Sequence, residues 1–591
     1  MNNRYTTVIF RSRIVEVEPF RRFAEQAAAL GATHVNVDSL PYNRWRWEKD
    51  RQDPYPNWSI IRFSLFDAAV PELLAPWFPA DHAERSLEII ARKGEILREL
   101  GLKGSVWGCE PMWLPEEVYL AHPEWRGPRC EHPLRARKPY YAPCIDHPEV
   151  LAMYRESAAR ICGLAPVDRF TFLTNDSGGG ICWSEGLYPG RNGPAHCEHR
   201  PLAERISGLM SAVQAGAAEA GLEAQIQLIG TIPQTEVGSV ERQLIKGQGI
   251  GGWGTAIAGS TNYLYGSFLY PVKELPQTAD FAEQLERAFK SKAQTLLVNF
   301  PSEASVELME VYRRFRERPT DGIYARAGLL KTAADAVAAT GSGDKLLELW
   351  EHIRRAVEAV KPMENGGPVL LLGVTAQRWL TRPLVPYPME LPQETKAYYR
   401  PFQFQARTEE HAADLMDCQA AKLIQGKHGT WLAGKLLDTA LGHVAQAIRV
   451  AESLGTDGNQ VLHRLRVLRC LLRTVRHTSR YQDLLERAAV STTEREVDRG
   501  GTARVLPVEM QFVVRAETDN VQELIRLLEQ AAIPPIITAG CPEEESVFEL
   551  APIPELIGQL KMKTALMLKH EPDHKRLLAA AESGRSGGVG G

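Results

Sequence analysis

Over roughly its first 300 residues the chain alternates short runs of β-branched and aromatic residues with amphipathic stretches of helical period, a rhythm that favours parallel α/β architectures. Thr6 to Phe10 (TTVIF) reads as a strand, a helix follows from Pro19 to Leu30, and His34 to Val37 (HVNV) comes after the helix-ending Gly31. Helix 81–100 precedes Ser105 to Trp107, helix 147–162 precedes Phe170 to Thr174, and helix 202–220 precedes Ala224 to Ile229. A Gly-rich stretch then leads to Tyr263 to Tyr270, helix 279–292 to Thr295 to Phe300, and a helical pair over 320–360 to Val369 to Val374 as an eighth strand. Seven or eight such units predict a (β/α)8 TIM barrel over 1–385. A doubly wound nucleotide fold would carry a Gly-rich phosphate turn after its first strand, where Phe10, Arg11, Ser12 and Arg13 stand instead.

From about 385 the pattern turns helical, with 407–425, 430–453, 459–475 and 480–489 amphipathic. Residues 503–530 read as a strand (VLPVEMQFVV) followed by a helix, a small β/α element within a mainly helical region 386–582. That region is expected to pack on the barrel or to form a homodimer surface, and the Gly/Ser-rich 583–591 reads as a disordered tail. The whole chain has 591 residues, enough for two or more domains. Its 69 Lys+Arg against 73 Asp+Glu leave no overall basic field for nucleic acid or an anionic membrane. The polar start, the first apolar run broken by Arg11, and the absence of a long apolar window argue against export and membrane insertion. Nine cysteines, sparse and odd in number, fit a reducing cytoplasm better than a disulfide scaffold.

In a barrel, the residues just beyond the strand ends build the active face. They are here Arg11 and Arg13, Asp38, Glu110, Asn175 and Asp176, Glu303, and Gln377 and Arg378. Carboxylates ringed by aromatics (Trp107, Trp113, Trp183, Tyr188, Trp379) suit glycosidic-bond cleavage, in which one group protonates the leaving oxygen and another activates water or attacks. The stretch Thr174 to Pro194 (TNDSGGGICWSEGLYPGRNGP) reads as a substrate loop: its glycines would let backbone approach a ligand, and Trp183, Tyr188, Arg191 and Asn192 offer stacking and hydrogen bonds. Asp176 is the preferred general acid or base, with Glu185 as a competitor.

Glu110 and Asp176 at strand ends, with a Gly- and Trp-containing loop after the fourth strand, resemble the barrel glycoside hydrolases of the hexosaminidase and α-glucuronidase type over about the first 385 residues. Where the hexosaminidase signature His-x-Gly-x-Asp-Glu would fall, 174–178 reads Thr-Asn-Asp-Ser-Gly. The chain is also similar to inverting exo-sialidases, a resemblance that implies a catalytic His, matched by His132; the family's Asp would fall near Ser12.

The reading is therefore an exo-acting glycosidase for a small carbohydrate or oligosaccharide ending in a sialic or uronic acid, with Asp176 opposite Glu110 or His132. Arg11, Arg13, Asn175, Trp183, Arg191 and Arg378 would bind the sugar, the arginines by bidentate contact with its carboxylate. No cofactor and no metal are assigned. Cys130-x-His132, Cys144-x-x-His147 and Cys197-x-His199 nonetheless supply zinc-type ligands at unconventional spacing. Two other readings stay open: a metal-dependent sugar isomerase or lyase using Asp38, Glu110, Asp176 and His residues, and a non-catalytic carbohydrate-binding barrel.

Overall fold

The computed structural model describes residues 4–41, 63–131, 139–176, 178–252, 261–265, 271–361, 380–385, 429–455, 459–493, 502–539 and 550–574. These form two compact units, one within 4–265 and 276–337, the other comprising 271–275 and the described residues from 338 onward.

Ten strands lie in the first unit: β1 (Thr7–Arg11), β2 (His34–Asn36), β3 (Lys103–Cys109), β4 (Arg126–Arg129), β5 (Tyr141–Pro143), β6 (Val167–Thr174), β7 (Gln225–Gly230), β8 (Gln248–Gly252), β9 (Thr261–Tyr265) and β10 (Thr295–Asn299). β4 and β5 make a separate antiparallel pair. The other eight are parallel, in the order β8-β7-β6-β3-β2-β1-β10-β9. The last strand therefore returns to the first, Thr7 beside Thr295 through Arg11 beside Asn299, and the order around the sheet is the order along the chain. This is a (β/α)8 barrel; β8 and β9 are the two neighbours not joined by a pairing among the described residues.

The strands are continuous apolar runs because both faces are covered, as in β1 (TVIFR), where the first four residues are buried. Helix Val17–Ala29 lays Phe20, Phe23, Ala24 and Ala27 inward, at the spacing of one helical face. Outside the barrel wall Phe10 packs on Phe300 and Tyr312 at centroid distances of 4.9 and 5.2 Å. The turn from that helix into β2 needs a left-handed residue: Gly31 has φ +73°, and Ala32 N–H bonds back to Ala27 O, closing the helix and redirecting the chain into the sheet.

Two expectations shift. The sixth barrel strand is Gln248–Gly252, not read from the sequence because its QGIGG lacks the usual β-formers. A Cβ at Gly249 would stand 2.4 Å from Gln227 Oε1, so the small residue makes room for a side chain of the neighbouring strand. Thr295–Asn299 consequently occupies the eighth place rather than the seventh. The run Val369 to Val374 lies outside the described residues, as do 407–425 and the tail 583–591.

The second unit is helical over Gly343–Val360, Gly429–Ser453, Asn459–Thr493, Thr502–Gln530 and Ile553–Lys569. The stretches 459–475 and 480–489 belong to one helix. The small β/α element is a correction: 503–530 is helical throughout. Met510, Val514, Glu517, Val521, Leu524 and Leu528 are among the buried positions, and their three- and four-residue spacing outweighs the β-propensity of the valines. Buried Lys563 and Glu517 form an ion pair there, with His477 Nδ1 2.7 Å from Glu517. No helix among the described residues is long and apolar enough to cross a membrane.

Candidate active site at the barrel mouth

Because the eight barrel strands are parallel, their C-terminal residues gather at one mouth. Arg11 ends β1, and its Nη2 donates to Asp38 Oδ2 at 3.1 Å, just beyond β2. Its guanidinium also lies over the ring of Trp107 on β3, 4.9 Å from the centroid. Trp107 packs in turn on Leu173 of β6 and Ile229 of β7. The Asp38 side chain is only 3% exposed, and its Oδ1 accepts from Asn36 Nδ2 at 2.8 Å. Asn36 also receives Ser12 N–H and donates to Ser12 O, which fixes the backbone after β1 against that after β2.

A second brace comes from Lys93, fully buried on helix Ala80–Glu99. Its ammonium donates to Ile14 O at 2.8 Å and Ser39 O at 2.7 Å, tying together the same two strand-end loops. Burial pushes its pKa down to about 7, against the opposing pull of Asp38 and Glu16.

Asp176 follows β6 and is half-buried; its Oδ1 accepts the hydroxyl of Tyr188, which is 38% exposed, at 3.2 Å. Asn175 beside it is 1% exposed and has φ +54°, a left-handed conformation Asn tolerates. Its amide donates to Ser184 Oγ at 2.7 Å and Thr231 O, while its Oδ1 accepts Ile181 N–H at 3.0 Å. Asn175 therefore staples the following loop. Ser184 passes the anchor on to Glu236, which also accepts Glu185 N–H.

The loop glycines serve packing rather than ligand approach. A Cβ on Gly179 would meet Cys109 Sγ at 2.7 Å, and one on Gly180 would meet Leu187 Cδ2 at 2.6 Å and Cys130 Cβ at 2.9 Å. Gly180 N–H bonds Pro111 O and Trp113 N–H bonds Gly178 O, so this loop pairs with the segment after β3.

Glu110 is fully buried. Its Oε1 accepts Ser64 Oγ at 2.9 Å and Leu65 N–H at 2.6 Å, and its Oε2 accepts the Tyr154 hydroxyl at 2.7 Å. That carboxylate faces helices Leu65–Ala68 and Pro148–Leu164, where it holds their packing. Trp183 Nε1 donates to Pro194 O at 3.0 Å, and the exposed Arg191 lies 5.9 Å over its ring. Trp113 is buried against Tyr140, and Glu303 pairs with Arg22 at 3.0 Å. Arg13 sits two residues beyond Arg11, half-buried. His132, Gln377, Arg378 and Trp379 lie outside the described residues. The mouth thus brings together Arg11, Asp38 and Trp107, with Asp176 and Tyr188 at the end of β6. Lys93 and Asn36, which brace it, carry no sequence motif.

No protein-family model matches the chain, and no curated protein matches it. Among solved structures it is similar to a GH138 enzyme targeting pectin rhamnogalacturonan II, at 8% identity over 97% of this chain and 84% of that one, with a TM-score of 0.46. A Thermobaculum terrenum O-GlcNAc hydrolase matches at 9% identity over 97% of both chains with a TM-score of 0.36. A Geobacillus stearothermophilus GH36 α-galactosidase matches at 14% identity over 53% of this chain and 42% of its own, with a TM-score of 0.28. Similarity at this level assigns neither an activity nor a residue role to this chain.

Proposed function

We propose that the chain is a glycoside hydrolase that removes a terminal acidic sugar, with Asp176 as the general acid or base. The observation that carries the proposal is the carboxylate of half-buried Asp176 at the end of a barrel strand, hydrogen-bonded by the hydroxyl of exposed Tyr188. A carboxylate in that position can deliver a proton to a leaving oxygen or take one from water. Arg11, stacked over Trp107, has donors beyond the one turned to Asp38 to meet a carboxylate on the sugar. Glu110 is not the opposite group in this proposal, because Ser64, Leu65 and Tyr154 occupy its oxygens. His132 is proposed for that role on sequence grounds alone.

The test is turnover on a panel of aryl glycosides of neutral sugars, uronic acids and sialic acid, with and without added magnesium or manganese. Hydrolysis of an acidic member that does not require the added ion supports the proposal. Turnover that requires the added ion would point to the metal-dependent reading. Binding of the sugars without turnover would leave a carbohydrate-binding barrel, and an equal preference for neutral glycosides would remove the acidic sugar.

A further inference from the structure

Three buried thiols from three separate segments meet in the first unit: Cys144 after β5, Cys182 in the loop after β6, and Cys197 in the short 3-10 turn Ala195–Cys197. Cys144 Sγ is 3.7 Å from Cys182 Sγ and 3.9 Å from Cys197 Sγ. On the open side His196 brings Nε2 to 3.4 Å from Cys144 Sγ. The donor atoms of Cys144, His196 and Cys197 all lie within 4.8 Å of one another, and Cys182 shares one buried cluster with Cys144 and Cys197. We propose that Cys144, Cys182, Cys197 and His196 form a structural zinc site.

Distances, charge and surroundings agree on this. Zinc–sulfur bonds of about 2.3 Å and zinc–nitrogen bonds of about 2.0–2.1 Å at tetrahedral angles give edges of about 3.8 Å between sulfurs and about 3.6 Å between sulfur and nitrogen. The observed separations of 3.7, 3.9 and 3.4 Å fall near those edges. A disulfide needs sulfurs about 2.0 Å apart, and three thiols cannot pair off among themselves. Three thiolates and a neutral imidazole around a dication leave one net negative charge, and buried Arg205 stands beside the cluster to answer it: its Nη1 donates to Cys182 O at 2.5 Å. Trp183 closes the apolar side of the cluster. With all four positions taken by protein the ion has no open site for substrate, so its work is to pin the loop after β6 to the end of β5.

Of the pairs suggested by spacing, only Cys144 and Cys197 contribute. His147 Nδ1 instead accepts Glu149 N–H as a helix cap, His199 is exposed, and Cys130 donates to Tyr140 O.

The full chain, without a polyhistidine tag, is purified from zinc-supplemented medium and its zinc, iron and copper measured. About one zinc per chain is expected. Alkylation followed by mass mapping should find Cys144, Cys182 and Cys197 protected until a chelator is added, and cobalt(II) exchange should give tetrahedral d–d bands with thiolate-to-metal charge transfer. Because His196 is exposed, His196→Ala should fold and bind zinc about tenfold or more weakly. Absence of zinc from the full chain, a disulfide among the three cysteines, another metal in the site, or zinc retained with undiminished affinity in His196→Ala and Cys182→Ala would each overturn the proposal.

Discussion

The guanidinium of Arg11 lies 4.9 Å from the centroid of the Trp107 ring while its Nη2 bonds Asp38, so one side chain joins the ends of three consecutive barrel strands. A residue that both braces the mouth and offers donors to a ligand confounds a simple alanine test. Arg11→Ala strands a carboxylate that is 3% exposed and should lower stability by about 1–3 kcal/mol. Arg11→Ala with Asp38→Asn removes the stranded charge and should recover most of that loss. If Arg11 also binds the substrate carboxylate, the double variant regains its melting temperature but not its preference for acidic over neutral glycosides. Recovery of both would make Arg11 purely a structural residue.

Asp176→Asn keeps the size and shape of the side chain and a partner for the Tyr188 hydroxyl, so the thermal midpoint should stay close to that of the parent. Turnover of a glycoside with a poor leaving group should fall about a hundredfold or more, because proton transfer to that oxygen is lost. Substrate affinity should persist. A variant that keeps more than half of the parent kcat would exclude Asp176 as acid or base.

Glu110 makes the opposite prediction. Glu110→Gln turns one acceptor into a donor facing Ser64 and Leu65 N–H or Tyr154, at a site with no exposure, and should lower stability by about 1–3 kcal/mol. The folded variant should retain the parent kcat and KM at a temperature well below its midpoint. A loss of kcat on the scale of Asp176→Asn, without loss of stability, would return Glu110 to the reaction.

The contrast between these two carboxylates explains how far the sequence could be read. The β-runs and their helices were legible because burial on both faces writes unbroken apolar strands, as in β1 and β10. β8 was not, since its glycines leave space for Gln227 and show no β-propensity. Choosing residues just past strand ends treats every polar position there as pointing into the mouth. Side chains alternate, however: Trp107 reaches Leu173 and Ile229 across the sheet, and Glu110, an odd step further, turns toward the helices. Asn175 escapes the rule for another reason, its left-handed backbone turning the side chain back to hold the loop. The sulfur cluster was half legible, because short spacing finds ligands that are neighbours in sequence, whereas Cys182 and His196 join Cys144 only after the loops fold.

The buried Lys93 supplies a pH signature for the brace under the mouth. Its folded-state pKa is about 7, lowered by burial, whereas in the unfolded chain it titrates as an ordinary lysine. Below pH 7 both states carry the proton and this residue contributes no pH dependence. Between about pH 7 and the ordinary lysine value the unfolded chain holds a proton that the folded chain has released, so this residue makes stability rise with pH, by at most about 1.4 kcal/mol per unit. Lys93→Met removes the titration and leaves Ile14 O and Ser39 O without their donor, an offset that does not vary with pH. Urea unfolding of both proteins from pH 6 to pH 10 should therefore show the parent gaining on the variant only above about pH 7. Parallel stability profiles across that range would mean that Lys93 stays protonated in the fold, held by the two carbonyls and by Asp38.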